Sequence, residues 1–292
     1  MDLNTFIIFI YCLIDDWLKT QPKYRQRGPQ PSLSDSELLT IEVVGSFLGH
    51  DTDKGLFLYF QRHYSHWFPA LAHIHRTTFV RQSANLWWVK VQLWRQLLHW
   101  LSYEPELFIM DSMPLPVCRF ARANRCKRLR EVSAYGHDEV ARQTYFGLRV
   151  HARIAWPGVI CDLELLPANV HDTEAAERML SGVTGVVLAD SNYWKPELQQ
   201  RLAEKHLQLL APYKSAKREK KPWPRLLKHT RYRIETVFGQ LVHRLKAKAV
   251  WARDAWHLCS RWLRLILAHC FGVLLCQQTG LSPLRFYELV NV

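Results

Sequence analysis

Two short apolar runs, each closed by an aspartate, set the strongest limit on how this chain folds. Leu107-Phe108-Ile109-Met110 ends in Asp111, and Val186-Val187-Leu188-Ala189 ends in Asp190. Unbroken apolar runs of this length, bounded by polar or turn-forming residues, read as buried strands. An acid at the exit of a buried strand stands where sites form in α/β sheets.

The segments around these runs supply the rest of the architecture. Residues 1–104 read as all-α. Apolar residues from Phe6 to Leu18 make a first helix, and Gly28-Pro29-Gln30-Pro31 breaks the chain. Ser34 reads as an N-cap with Glu37 completing a capping box, and Leu33 and Leu38 form a matching hydrophobic staple. Further helices are expected over Leu56–Tyr64 and, as one long element, Thr77–Leu101. This N-terminal region is expected to be a DNA-binding module. A helical packing domain fits the same pattern, because no residue marks a recognition helix.

From residue 105 to 292 the pattern changes. After the strand ending at Asp111, residues 119–130 and 133–142 read as loops. Tyr145–Ile154 alternates as a strand, Trp156-Pro157-Gly158 turns, and Val159–Leu166 is its hairpin partner. A helix follows from Thr173 to Leu180, capped by Asp172 or Thr173. Then come the strand at Val186–Ala189, a helix over Trp194–Lys205, and a strand at Leu207–Ala211. Helices over His229–Ala249 and Trp256–Gln277 close the chain, the former after a Lys/Pro-rich loop at 214–225. A meander followed by alternating helices and strands predicts an α/β fold, a mixed sheet flanked by helices. The ribonuclease-H-like architecture has this order.

If the two runs pair in parallel, Asp111 and Asp190 emerge side by side. A third acid, Glu235, lies on the helix carrying Ile234, Val237 or Phe238, Leu241 and Leu245 at helical spacing. Glu235 sits about 100° round from Ile234, at the stripe's edge. Three hard oxygen donors near one point suit Mg²⁺, with Mn²⁺ as a substitute, rather than zinc. Two such ions support phosphoryl transfer, with Asp111 as the bridging ligand. Each acid also has an ordinary use. Asp111 could cap a turn, Asp190 could form an Asx turn before Ser191-Asn192, and Glu235 could pair with Arg231.

Charge points to the substrate class. The chain carries a net +13, and two segments account for it. Arg119, Arg122, Arg125, Lys127, Arg128 and Arg130 lie together without an acid. Lys214, Lys217, Arg218, Lys220, Lys221, Arg231 and Arg233 belong to a second segment, Lys214–Arg233. Together the two segments hold +14, so the rest of the chain is about neutral. Focused positive charge near candidate catalytic acids implies a polyanion, and nucleic acid above all.

Seven scattered cysteines form no Cys-x-x-Cys pair, which predicts reduced thiols in a cytoplasmic protein. The apolar run Phe6–Ile14 is too short to span a bilayer. It has no basic residue before it, so no signal peptide is expected. The run Leu265–Cys276 contains His269 and follows Arg264, which favours a buried helix over a membrane span.

At these residues the chain resembles the DDE transposases of bacterial insertion sequences, in the nine-eighty-two group. Three blocks carry the resemblance: Ile109-Met110-Asp111-Ser112 with Pro114–Cys118; Tyr145–His151 through Leu166-Pro167-Ala168-Asn169-Val170-His171-Asp172 to Leu188-Ala189-Asp190-Ser191; and Arg233-Ile234-Glu235-Thr236-Val237-Phe238. The resemblance implies a ribonuclease-H-like catalytic domain with Asp111, Asp190 and Glu235 as its triad. It implies Mg²⁺-dependent cleavage at terminal inverted repeats and attack of a 3′ hydroxyl on target DNA. Its partners would be double-stranded DNA and a second protomer. Related families place a basic residue shortly after the glutamate. Here that position is Val242, and His243, Arg244 and Lys246 are the nearby substitutes, with Arg244 and Lys246 expected to contact DNA. Two other readings use the same residues: a structure-selective nuclease that never joins strands, and a DNA-binding regulator without catalysis.

Overall fold

The computed structural model describes residues 1–22, 24, 28–212 and 229–290. They divide into two compact units. One comprises the described residues within 1–101, 240–252 and 256–290, and the other those within 102–239 and 253–255. The expected division at residue 104 therefore differs at the far end of the chain, where the last long helix groups with the N-terminal helices.

The helical unit starts with α1 (Leu3–Thr20) and α2 (Asp35–Phe47). Ser34 caps α2 as expected. Its Oγ accepts from the Glu37 amide at 3.1 Å, and Glu37 accepts from the Ser34 amide at 2.7 Å. Helix α2 is buried almost all round, which is why its apolar residues show no single face. Helix α3 (Asp53–His63) follows. The single helix expected over Thr77–Leu101 is two, α4 (Arg76–Asn85) and α5 (Trp87–Trp100), because Leu86 leaves helical geometry between them.

Inside this unit, Lys90 and Glu42 form an ion pair at 2.7 Å with both side chains shielded from water. The Lys90 Nζ also donates to Ser260 Oγ at 2.8 Å and Ser83 Oγ at 3.1 Å. A buried charge of this kind persists only when paired and hydrogen-bonded. Ser260 lies on α9 (Ala255–Gln278), a helix long and apolar enough to cross a membrane, most of which is buried within the protein. The short α10 (Phe286–Leu289) comes last.

The second unit holds one six-stranded sheet: β1 (Leu107–Pro116), β2 (Ala134–Asp138), β3 (Gln143–Ala155), β4 (Val159–Pro167), β5 (Gly185–Leu188) and β6 (Leu207–Leu210). The order is β2-β3-β1-β5-β6, with β4 also paired to β3. Strands β2 and β4 share one edge of the long β3, opposite residues 143–147 and 148–155 respectively. Strand β2 lies where a loop was expected, since Ala134-Tyr135-Gly136-His137-Asp138 shows little apolar alternation. The pairings β1–β5 and β5–β6 are parallel and the others antiparallel, so the sheet is mixed as expected.

Helices α6 (Asp172–Met179) and α7 (Pro196–Ala203) cover one face. Phe108, Met110, Val187, Ala189, Leu207 and Leu209 pack there with Ala176, Met179, Leu198 and Leu202. Helix α8 (Tyr232–Gly239) packs against β1. It is much shorter than the span His229–Ala249 expected for it. The chain widens into a π turn over Gln240–Arg244, where the Leu245 amide reaches back to Gln240 O at 3.0 Å. Lys246 then adopts φ +55°, which ends the helical path.

Candidate active site

Strand register brings two of the predicted acids together. Ile109 pairs with Leu188 in the parallel β1–β5 ladder, the last pair before the strands diverge. Side chains alternate along a strand, so Asp111 and Asp190, each two residues further, leave on the face of Ile109 and Leu188. Neighbouring strands lie about 4.8 Å apart, which puts the two carboxylates at one end of one face. That face is opposite the one covered by α6 and α7.

Asp111 is not at a strand exit. Strand β1 continues to Pro116, paired with β3, and Asp111 lies opposite Ala152. What ends near Asp111 is the parallel pairing with β5. The apolar run stopped at Met110 because Asp111 is polar, not because the strand stops.

Burial pushes the Asp111 carboxyl up to about 7. The Ser112 amide, donating to its Oδ1 at 2.7 Å, opposes this, and Asp190 and Asp172 push further upward. Burial also raises Asp190. The Asn192 amide opposes the rise, Asp172 adds to it, and Arg231 works against it. Asp190 also closes the Asx turn considered for it: Oδ1 accepts from the Asn192 amide at 2.9 Å and Oδ2 from the Asn192 side chain at 3.2 Å.

Glu235 comes from a helix rather than from the sheet. It is exposed on α8, whose buried face is formed by Ile234, Val237 and Phe238. Among the described residues, no group of three His, Cys, Asp or Glu side chains is arranged to hold a metal ion. The β1–β5 pairing accounts for two of the three expected acids, and Glu235 lies at the exposed edge of α8. Arg231, among the residues expected to grip DNA, opposes part of the upward shift of both Asp111 and Asp190.

Neither Asp172 nor Thr173 caps helix α6, in contrast to the expectation from the sequence. Helix α6 is capped by His171, whose Nδ1 accepts from the Thr173 amide at 3.2 Å. Capping preferences favour Asp and Thr over His, which is why the cap was expected at Asp172 or Thr173. Asp172 is instead 5% exposed and points into the sheet. Its Oδ1 accepts from Ser112 Oγ at 3.0 Å, and Arg149 pairs with it at 3.4 Å. The His151 Nδ1 is 3.5 Å away, with burial driving the imidazole down to about 4. The buried Tyr193 hydroxyl is raised well above its ordinary range, first by burial and then by Asp172, Asp111 and Asp190. Ser112 and Tyr193 were not foreseen as site residues. The only signal for Ser112 was its parity next to Asp111.

The basic residues fall into three sets. Arg119, Arg122, Arg125, Lys127 and Arg130 are exposed and Arg128 is half-buried, around a 3₁₀ turn at Phe120–Arg125. This segment begins beyond the end of β1, about 17 Å along the strand from Asp111. Lys214, Lys217, Arg218, Lys220 and Lys221 lie outside the described residues. Arg233 and Arg244 are engaged within the protein: Arg233 stacks on Trp156 at 4.8 Å, and Arg244 on Phe47 at 4.3 Å. Lys246 is exposed.

A family model described as "Transposase DDE domain" matches residues 103–250. That span covers about half of the chain, and the protein belongs to this transposase family. No curated protein matches the chain significantly. Among solved structures, the cryo-EM structure of a piggyBac transposase synaptic complex with hairpin DNA is similar, at 11% identity and a TM-score of 0.49, covering 97% of this chain and 76% of that one.

Proposed function

We propose that this member of the transposase DDE family cleaves DNA at the terminal inverted repeats of an insertion sequence and joins the freed 3′ ends to target DNA. The observation that carries the reading is the β1–β5 register, which sets Asp111 and Asp190 on one face just past the end of the parallel ladder. The strand order, an antiparallel meander continued by two parallel strands, supports a ribonuclease-H-like catalytic unit.

The donor set fits a divalent ion. Both acids offer hard carboxylate oxygens, and Asp111 is held near 7 by burial and by its acidic neighbours, an arrangement that a cation relieves. Mg²⁺ commonly takes one or two carboxylates and completes its shell with water and substrate phosphate. Asp111 and Asp190 would hold Mg²⁺, or Mn²⁺ in its place, with Glu235 as third carboxylate. When bound, such ions lower the barrier to attack on phosphorus and stabilise the leaving oxygen.

The chain's own groups do the remaining work. Arg231 offsets part of the negative charge of the two aspartates. The basic segment Arg119–Arg130 holds the DNA backbone beyond the end of β1, some way along the strand from Asp111. Hydrolysis at an element end frees a 3′ hydroxyl. Attack of that hydroxyl on a target phosphodiester forms one ester bond and breaks another, and the target's 3′ oxygen leaves with the proton. Two ends must be held at once, so a dimer or larger assembly on double-stranded DNA is part of the reading.

The test supplies pre-cleaved element ends and target DNA with Mg²⁺ or Mn²⁺. Joined products are expected, and Asp111→Asn should abolish them. Cutting without joining would support a structure-selective nuclease instead. Full joining by Asp111→Asn would remove the assignment.

A further inference from the structure

Asp172 is buried close to Asp111 and Asp190, yet neither capping nor catalysis accounts for it. It sits on α6, on the opposite face of the sheet from Asp111. Its partners reach it from two strands: Ser112 from β1, and Arg149 and His151 from β3. Ser112 lies opposite His151 in the ladder, so both face α6. Asp111, one residue earlier, faces the other way.

We propose that Asp172 is a positioning residue that sets the Asp111 carboxylate from behind the sheet, acting through Ser112. The inference rests on the reading of Asp111 as an ion-holding acid. Three observations carry it. Asp172 fixes the Ser112 hydroxyl at 3.0 Å, and the Ser112 amide holds Asp111 Oδ1 at 2.7 Å. The ladder to β5 stops at Ile109, so past that residue β1 has no described strand partner on that side. The Ser112–Asp172 bond anchors the segment there. Finally, Arg149 pairs with Asp172 and also donates to His137 O at 2.9 Å. This offsets the buried charge and ties Asp172 to β2.

Residues that orient a ligand side chain typically change metal affinity by about 10-fold to 100-fold when removed. The test titrates Mn²⁺ alone into the full chain by calorimetry, without DNA. Asp111→Asn should remove most of the binding. Ser112→Ala and Asp172→Asn should each weaken it about tenfold, and the double variant should be no weaker than the worse single one, because both act through one path. Unchanged Mn²⁺ affinity in Ser112→Ala overturns the inference. So do losses that multiply in the double variant, since Asp172 would then act independently of Ser112. Ser112→Ala removes one hydroxyl and carries the test even if Asp172→Asn fails to fold. Parent-like binding by Asp111→Asn, or no binding by the parent chain, overturns the ion-holding reading of Asp111 and the inference with it. A loss confined to Ser112→Ala and Asp172→Asn is thereby distinguished from failure at Asp111.

Discussion

Replacing Asp111 by Asn should make the metal-free protein more stable at alkaline pH, with a difference that depends on pH in a defined way. Burial raises the Asp111 carboxyl from 3.8 to about 7. A carboxyl raised by folding contributes stability that is fully present below its unfolded pKa and lost as pH rises through the folded value. The wild-type protein should therefore lose stability between about pH 4 and pH 7, and Asp111→Asn should not. Three units at about 1.4 kcal/mol each set a ceiling of about 4 kcal/mol above pH 8. Asp111 keeps some exposure, so solvent screening reduces this to about 2 kcal/mol. In a chain of this size that is about 4 to 8 °C in Tm. The Asn side chain keeps an oxygen for the Ser112 amide, so the substitution mainly removes charge. Thermal unfolding in EDTA across pH 5 to 8.5 reads the effect. Mn²⁺ should raise the wild-type Tm at pH 8 and leave the variant unmoved. A difference that does not change with pH, or a variant less stable than wild type at pH 8, would refute the reasoning.

Other outcomes follow from the same structure. Lys90→Met leaves the buried Glu42 to Arg264 at 3.7 Å and should cost up to about 3–5 kcal/mol by urea unfolding, whereas Lys90→Met with Glu42→Gln should recover much of it. Gly185→Ala should destabilise the chain by about 2–4 kcal/mol, combining strain and steric clash. Gly185 has φ +98°, and a Cβ there would meet the Glu106 carbonyl oxygen at 2.5 Å, where β5 joins β1. Neutralising Arg122 and Arg125 together should weaken binding of unrelated DNA sequences alike and lower the slope of log K against log salt by about 2. An unchanged slope would remove those two residues from the phosphate contacts.

The elements that could be read from the sequence are those with strong local signals. Ser34 and Glu37 form the capping box their spacing implies, and Trp156-Pro157-Gly158 turns β3 into β4. The misread elements had weak or misleading ones. Strand β2 is held by pairing with β3 rather than by an apolar face. The break at Leu86 and the π turn at Gln240–Arg244 interrupt sequences whose periodicity continues through them.

For the candidate site, the candidate acids and the charge around them were legible in the sequence alone. Asp111 and Asp190 follow apolar runs, the positive charge is concentrated in two segments, and residues 103–250 belong to a transposase family. Only the tertiary structure decided which groups meet. Whether Asp111 and Asp190 share a face depends on the register of β1 against β5, which a shift of one residue would reverse. Where Glu235 lies relative to that pair depends on how α8 seats its apolar stripe. The link from Asp172 to Ser112 is a contact between residues 60 positions apart, made through two layers of the fold. Local sequence records what each residue can do. Register and packing choose its partners, because those are settled by free energy summed over the whole sheet.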